Sequence, residues 1–362
     1  MGDSNPGLRK TLSHNASIWL LTGHKAGDNN QVLALAEALG CAFEVKKLAY
    51  HSYELLTNRL LGVTLAGIDR RRSSPLEPPW PDLVISAGRR NEPVARWIRK
   101  QSGAKTRLVH IGRPWAPLDV FDLVITTPQY FLPKQNNVLD NRLPLHRITA
   151  GRLQQAAGQW QDRLSYLQRP YTVVLVGGNS GPFVLTTEKG RLFGRMVSEL
   201  AAAQGGSILL TDSARTPAAA FDALCHELTV PAYIYRWRSE QENNPYLAYL
   251  GLADQLVVTG ESMSMLAEAS VTCKPLYIFD LGDDERRWWR YAHNFRYKPL
   301  SHRLAMRFGP RRMRRDIGRI QHALIANGRA VWLGETFPVN APLLPPDDTR
   351  RAAERVCDLL AE

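Results

Sequence analysis

The sequence predicts an α/β fold of two Rossmann-like domains whose parallel sheets face each other across a cleft. Three observations predict it. Short apolar, β-branched runs alternate with helix-forming stretches along most of the chain. The alternation comes in two series separated by a connecting helix. The runs end in loops of glycine, hydroxyl and charged residues, where an open parallel sheet holds its ligand. A chain of 362 residues, 44% of them apolar, is long enough to fill two cores.

The first domain is expected over residues 1–150. Its first strand is Ile18-Trp19-Leu20-Leu21, followed by a loop from Thr22 to Asp28 and then a helix through Gln31 to Leu39. Phe43 to Val45 reads as the second strand. Asp82 to Ser86 is the third, ending at Ala87-Gly88-Arg89-Arg90 before a helix from Glu92 to Gln101. Leu108 to Ile111 and Phe121 to Ile125 are two more. A connecting helix, Gly151 to Gln168, opens the second domain, expected over 151–335. Its strands are Tyr171 to Val176, Ser207 to Leu210, Ala232 to Tyr235, Gln255 to Val258 and Leu276 to Phe279. The remainder, 336–362, is a Pro-rich crossing and a helix from Asp348 to Leu360 that returns toward the first domain.

Several classes are set aside by composition. No run of eighteen apolar residues exists, so no spanning helix is expected. The first seventeen residues, MGDSNPGLRKTLSHNAS, lack the apolar core of a signal peptide and are weakly basic for a transit peptide. Pro6 stands where a myristoylation pattern wants Ser or Thr. The four cysteines, Cys41, Cys225, Cys273 and Cys357, show neither metal nor disulfide spacing, which suits a reducing cytoplasm and no structural metal.

The net charge of +12 is concentrated. From Arg286 to Arg319 there are twelve Lys or Arg against one acid, Asp316, a local balance of +11. Arg286, Arg287, Trp288 and Trp289 open this segment, and Arg311, Arg312, Arg314 and Arg315 close it. Basic residues interleaved with aromatics suit an anionic membrane surface, charges on headgroups and rings at the interface. The same mixture suits nucleic acid, a less favoured partner here, or a solvated helix face whose aromatics are core.

Three strand-end loops of the second domain point to an anion. Gly177-Gly178-Asn179-Ser180 allows close backbone approach to a phosphate, although it is neither a Walker loop nor a dinucleotide fingerprint. Thr211, Ser213 and Arg215 offer hydroxyls and a guanidinium. Thr259 to Ser264 joins a strand to a helix, which aims the N–H groups of Ser262, Met263 and Ser264 at a diphosphate. Glu268 follows within the helix, at reach of sugar hydroxyls. The plain alternative for the last loop is an ordinary turn capped by Ser262 or Ser264. In the first domain, Asp28 or His24 is placed to take a proton from an acceptor hydroxyl. Helix capping is the alternative for Asp28, and a loop histidine without a role is the alternative for His24. Lys25, Arg89 and Arg90 suit an anionic acceptor or salt bridges.

GHKAGDNNQVLALAEALG, ISAGRRNEPVA, FDLVITTPQY, ENNPYLAYLGLADQLVVTGESMSMLAEA and KPLYIF together resemble the mitochondrial fission Elm-type family, which includes bacterial members. The resemblance covers about Ile18 to Phe279. It implies kinship with glycosyltransferases of the GT-B fold, in which the counterpart of Thr259 to Glu268 holds the donor nucleotide with the Glu on ribose. The loop GGNSGPF is less basic than its counterpart in many relatives. The expected activity is that of a metal-independent inverting glycosyltransferase, peripheral on the inner face of the cytoplasmic membrane. It would use a nucleotide-sugar as substrate, with no cofactor, on an envelope lipid or polysaccharide acceptor. A nucleotide-sugar epimerase and a non-catalytic membrane-surface adaptor are the alternatives.

Overall fold

The computed structural model describes residues 16–51, 62–238, 243–282, 304, 307–309, 314–338 and 345–361. The chain divides into two compact units. The first holds the chain up to Arg147, then residues 314–315 and Asp347 onward; the second holds Ile148 to Pro310 and Asp316 to Pro346. The α/β class and the two Rossmann-like units expected from the sequence are both present.

Among the described residues of the first unit, β1 (Ile18–Thr22), β2 (Phe43–Lys47), β3 (Leu83–Ala87), β4 (Arg107–Ile111), β5 (Leu123–Thr126) and β6 (Val138–Asp140) form one parallel sheet in the order β2-β1-β3-β4-β5-β6. Helices α1 (Ala26–Leu39) and α2 (Asn91–Gln101) follow β1 and β3. The pleat splits each apolar run between two cores. Ile18, Leu20, Leu83 and Ile85 face α1, and Trp19, Leu21, Val84 and Leu108 face α2. The C-terminal helix, Asp348–Ala361, lies in the first of these cores through Ala352, Ala353, Val356 and Cys357. Its start is pinned by Asp348, which accepts the Arg142 N–H at 2.6 Å.

The second unit runs α3 (Ala150–Leu164), β7 (Tyr171–Leu175), α4 (Thr187–Ala202), β8 (Ser207–Thr211), α5 (Ala218–His226), β9 (Ala232–Tyr235), α6 (Tyr246–Leu252), β10 (Gln255–Thr259), α7 (Met263–Ser270), β11 (Leu276–Phe279), α8 (Gly318–Ala326) and β12 (Val331–Trp332). The C-terminal helix of the first unit is then α9. The second sheet is again parallel, in the order β12-β11-β10-β7-β8-β9. β7, β8 and β10 are buried at every residue, which explains the apolar runs at their centres. Phe193 of α4 stacks on Phe279 of β11 at 4.3 Å between centroids, closing one face.

Both strand orders reverse once. In the second sheet the reversal falls between β7 and β10, and in the first between β1 and β3. At such a point the connections leave on opposite faces of the sheet, which opens a crevice beyond the strand C-termini. The candidate residues cluster beyond these two points.

Candidate functional site

In the second unit, the loops after β7, β8 and β10 are laced together. The Gly177 N–H donates to Thr259 Oγ1 at 2.8 Å, and the Gly177 carbonyl accepts from the Ser213 hydroxyl. Thr216 donates to the Val176 carbonyl at 3.0 Å. The Asn179 N–H donates to the Arg215 carbonyl at 3.0 Å, and Arg215 Nη1 returns to the Asn179 carbonyl at 3.1 Å. Gly178 has φ +97° and lies so close to this strand of contacts that a Cβ would meet the Arg215 carbonyl at 2.3 Å. Only glycine fits there. Ser180 pairs with Phe183 in a tight turn.

These bonds assign roles within the predicted set. The hydroxyl of Ser213 is spent on the β7 loop, and that of Thr211 reaches the Asp212 carbonyl at 3.4 Å, so both hold the loops in shape. The Arg215 side chain is 43% exposed. Ser262 is the N-cap of α7 but makes no side-chain cap bond, so its hydroxyl leaves the first-turn N–H groups of Met263 and Ser264 unclaimed. Neither serine caps the helix as the plain reading required.

Glu261 lies beneath these loops and was not singled out by its sequence context. Its carboxyl is fully buried, accepts from Thr259 Oγ1 at 3.3 Å and lies 3.9 Å from Arg215 Nη2. Burial raises this acid to about 7, against the opposing pull of Arg215. Glu268 sits further along α7. Its carboxyl is packed round by protein and accepts from the Tyr246 hydroxyl, and burial pushes it too up to about 7. Its neighbour Tyr246 was also missed, being 22 residues away.

The first unit builds its own reversal point around Asn91. This buried side chain donates to the Leu21 carbonyl of β1 at 3.0 Å and to the Ala87 carbonyl of β3 at 2.9 Å, and it accepts from the Tyr50 hydroxyl. It therefore spans the gap where the strand order reverses. Asn29 brackets Gly23 in the same manner, accepting from its N–H at 2.9 Å and donating to its carbonyl at 2.7 Å.

That bracket starts α1 at Ala26, inside the stretch from Thr22 to Asp28 expected as a loop, with Lys25 as an exposed N-cap. Asp28 is consequently inside the first helical turn and is neither a loop residue nor the N-cap. Its carboxylate rests against Gly88, where φ is +74° and a Cβ would lie 2.4 Å from Asp28 Oδ2. His24 meets the Tyr50 ring edge-on at 5.8 Å, and Arg90 lies 5.2 Å from the same ring. Burial, with help from Arg90 and Lys25, lowers the His24 pKa. Arg89 lies 5.8 Å from the Trp115 ring, whose backbone is held by Glu92 at 2.7 Å. His24, Lys25, Arg89 and Arg90 thus lie just beyond the ends of the neighbouring strands β1 and β3, with Asp28 in the first turn of α1.

Of the basic segment, Arg286, Arg287, Trp288, Trp289, Arg311 and Arg312 lie outside the described residues. Arg314 and Arg315 are half-buried in the first unit: the Arg314 carbonyl accepts from Arg113 at 2.6 Å, and Arg315 Nε donates to Gln129 at 2.9 Å.

A profile of the family described as mitochondrial fission ELM1 matches residues 26–360. The chain belongs to this family. It is 29% identical over 252 residues to mitochondrial fission protein ELM1 of Arabidopsis thaliana, a match that takes in 63% of this chain and 58% of the plant protein. The chain thus spans less than two thirds of that relative. It is 25% identical over 296 residues to an uncharacterized protein of Rickettsia prowazekii, covering 73% of this chain and 83% of the relative. Among solved structures, UDP-GlcNAc 2-epimerase of Methanocaldococcus jannaschii in complex with UDP-GlcNAc and UDP is similar at a TM-score of 0.45 and 12% identity, over 94% of this chain and 99% of that one. All three laced loops of the second unit lie inside the family match. Among the described residues, no helix is long and apolar enough to cross a membrane.

Proposed function

We propose that this ELM1-family protein is an inverting glycosyltransferase that takes its sugar from a nucleotide-sugar without the help of a metal. The observation that carries this reading is the convergence at the second unit's reversal point. Two glycines, the Arg215 guanidinium and a helix start without a side-chain cap meet there. Backbone N–H groups and a helix dipole are a ready seat for a diphosphate, and they stabilise charge as it develops on the leaving group. The acceptor hydroxyl attacks the anomeric carbon, the bond from that carbon to the phosphate oxygen breaks, and the nucleoside diphosphate departs. Asp28 takes the hydroxyl proton, with His24 beside it. Lys25, Arg89 and Arg90 hold an anionic part of the acceptor. The basic, aromatic segment keeps the protein on an anionic membrane surface at the cytoplasmic side, where lipid or polysaccharide acceptors of the envelope are made accessible.

The test is thermal stabilisation by UDP, ADP, GDP and CDP, followed by assay of the matching nucleotide-sugars with and without membrane extract. A selective rise in Tm with one diphosphate, and sugar transfer that needs the extract, support the reading. No shift with any diphosphate at millimolar concentration overturns it. Turnover of the donor without an acceptor points to an epimerase instead.

A further inference from the structure

Helix α6 is tied to the α7 segment at both of its ends. At its start, the Tyr246 hydroxyl donates to Glu268 Oε2, and the Tyr246 N–H is fixed by Asn244 Oδ1 at 2.9 Å. At its end, Lys274, four residues past α7, donates from Nζ to the carbonyls of Leu250 at 3.2 Å and Gly251 at 2.7 Å. A cation on the last carbonyls of a helix both satisfies them and opposes the dipole. The middle of α6 is held from below, where Tyr249 meets the Trp160 ring of α3 at 6.5 Å. Tyr246 is therefore delivered to Glu268 by a helix fixed along its length.

The bond to Tyr246 engages one of the two Glu268 oxygens. A glutamate carboxyl rotates freely about its last torsion unless something holds it, because that torsion is broad. The Tyr246 hydroxyl supplies the hold and sets which way the second oxygen points. Glu268 lies five residues along α7 from Met263, about 7.5 Å at ~1.5 Å per residue. A nucleoside diphosphate with its phosphates at the start of α7 would carry its ribose over that distance.

We propose that Tyr246 is a positioning residue for ribose recognition, holding one oxygen of Glu268 so that the other meets a ribose hydroxyl of the bound nucleoside diphosphate. This rests on the donor-site reading above. The role resembles that of outer partners which orient a ligating carboxylate. It gives specificity a physical basis: a carboxylate fixed in orientation rewards a hydroxyl at one place, whereas a freely turning one accepts water as readily.

The experiment is calorimetric titration of UDP, ADP, GDP and CDP into the wild-type chain, then of the tightest binder in its ribo, 2′-deoxy and 3′-deoxy forms into wild type, Tyr246→Phe and Glu268→Gln. At pH 8, above the value of about 7 to which burial raises Glu268, wild type should favour the ribo form over one deoxy form by about tenfold, the worth of a hydrogen bond to a charged acceptor. Tyr246→Phe should lose most of that preference by weakening the ribo form alone, with the deoxy form bound within about twofold of wild type. Glu268→Gln, which keeps an acceptor for Tyr246 and turns its amide toward the sugar, should lose the preference as well. Equal weakening of ribo and deoxy forms by Tyr246→Phe would mark a merely structural tyrosine and overturn the proposal. So would a full ribo preference in either variant. If wild type binds none of the four diphosphates, the donor-site reading itself falls, a result distinct from both.

Discussion

The carboxyl of Glu261 fills the space that a side chain on Gly177 would need: a Cβ there would lie 2.2 Å from Glu261 Oε1 and 2.6 Å from Ser262 Cβ. The missing side chain of the first glycine of the β7 loop thus leaves room for an acid to be buried below. The acid in turn accepts from Thr259, whose oxygen receives the Gly177 N–H. Two strand ends far apart in sequence share one small polar knot at the reversal point.

Gly177→Ala is therefore expected to destabilise the protein by about 1–3 kcal/mol, the usual cost of overfilling a packed site. The cost should be coupled to Glu261. In a Glu261→Ala background the clash with the carboxyl is gone while that with Ser262 Cβ remains, so the two changes together should cost less than their separate costs combined. Urea unfolding of the four proteins measures this. Strict additivity would show that the contact does not govern the site.

The buried acid also makes a pH prediction. Folding raises the Glu261 carboxyl from its ordinary 4.5 to about 7. Between those values the folded chain holds a proton that the unfolded chain has released, so stability falls as pH rises. The loss is complete above about 7 and amounts to at most about 3 kcal/mol for a shift of this size. Glu268 is shifted in the same direction. The free energy of unfolding should drop from pH 5 to pH 8, and Glu261→Gln should flatten that slope. An identical slope in the variant would show that another group governs it.

Asp28 carries the proposed chemistry, and Gly88 sets its place. Asp28→Asn removes the base while keeping the shape against Gly88, so transfer should fall at least about 10²-fold, the ordinary contribution of a general base, with Tm little changed. Gly88→Ala should move the carboxylate, since the new methyl would lie 2.4 Å from Asp28 Oδ2, and φ at +74° adds strain. Turnover should then drop more than donor affinity does. Full transfer in Asp28→Asn would show that another group takes the acceptor proton.

How far these features could be read beforehand depended on how local they are. Strands such as Tyr171–Leu175 and Gln255–Thr259 were legible because burial on both faces gives each a run of three apolar residues, Val173 to Leu175 and Leu256 to Val258. The early start of α1 was hidden, because Ala26 to Asn30 is polar and resembles a loop; the Asn29 bracket on Gly23 that permits a helix there is a three-dimensional event. The edge strands Val138–Asp140 and Val331–Trp332 are too short to give a pattern. Within the candidate site, the glycines and the helix start announced themselves by residue type. Glu261 did not, because its burial depends on Gly177, and Asn91 did not, because its partners Leu21 and Tyr50 are remote in sequence.

The basic segment was read as one block, and the structure divides it for experiment. Arg315 is bound to Gln129 and lies 6.0 Å from the Tyr130 ring, while Arg113, 5.3 Å from the same ring, holds the Arg314 carbonyl. Removing the Arg315 guanidinium leaves Gln129 short of a partner, so Arg315→Gln should lower stability by about 1 kcal/mol. Its effect on membrane binding is confounded by that loss. Arg286, Arg287, Arg311 and Arg312 are the better probes. Each neutralised charge should weaken binding to phosphatidylserine-containing vesicles by about 1 kcal/mol, or roughly fivefold, with less effect at high salt. Sedimentation with vesicles of phosphatidylcholine alone is the control. Equal binding of the wild-type chain to both vesicle types would remove the membrane from the proposed function and leave the charge to another anionic partner.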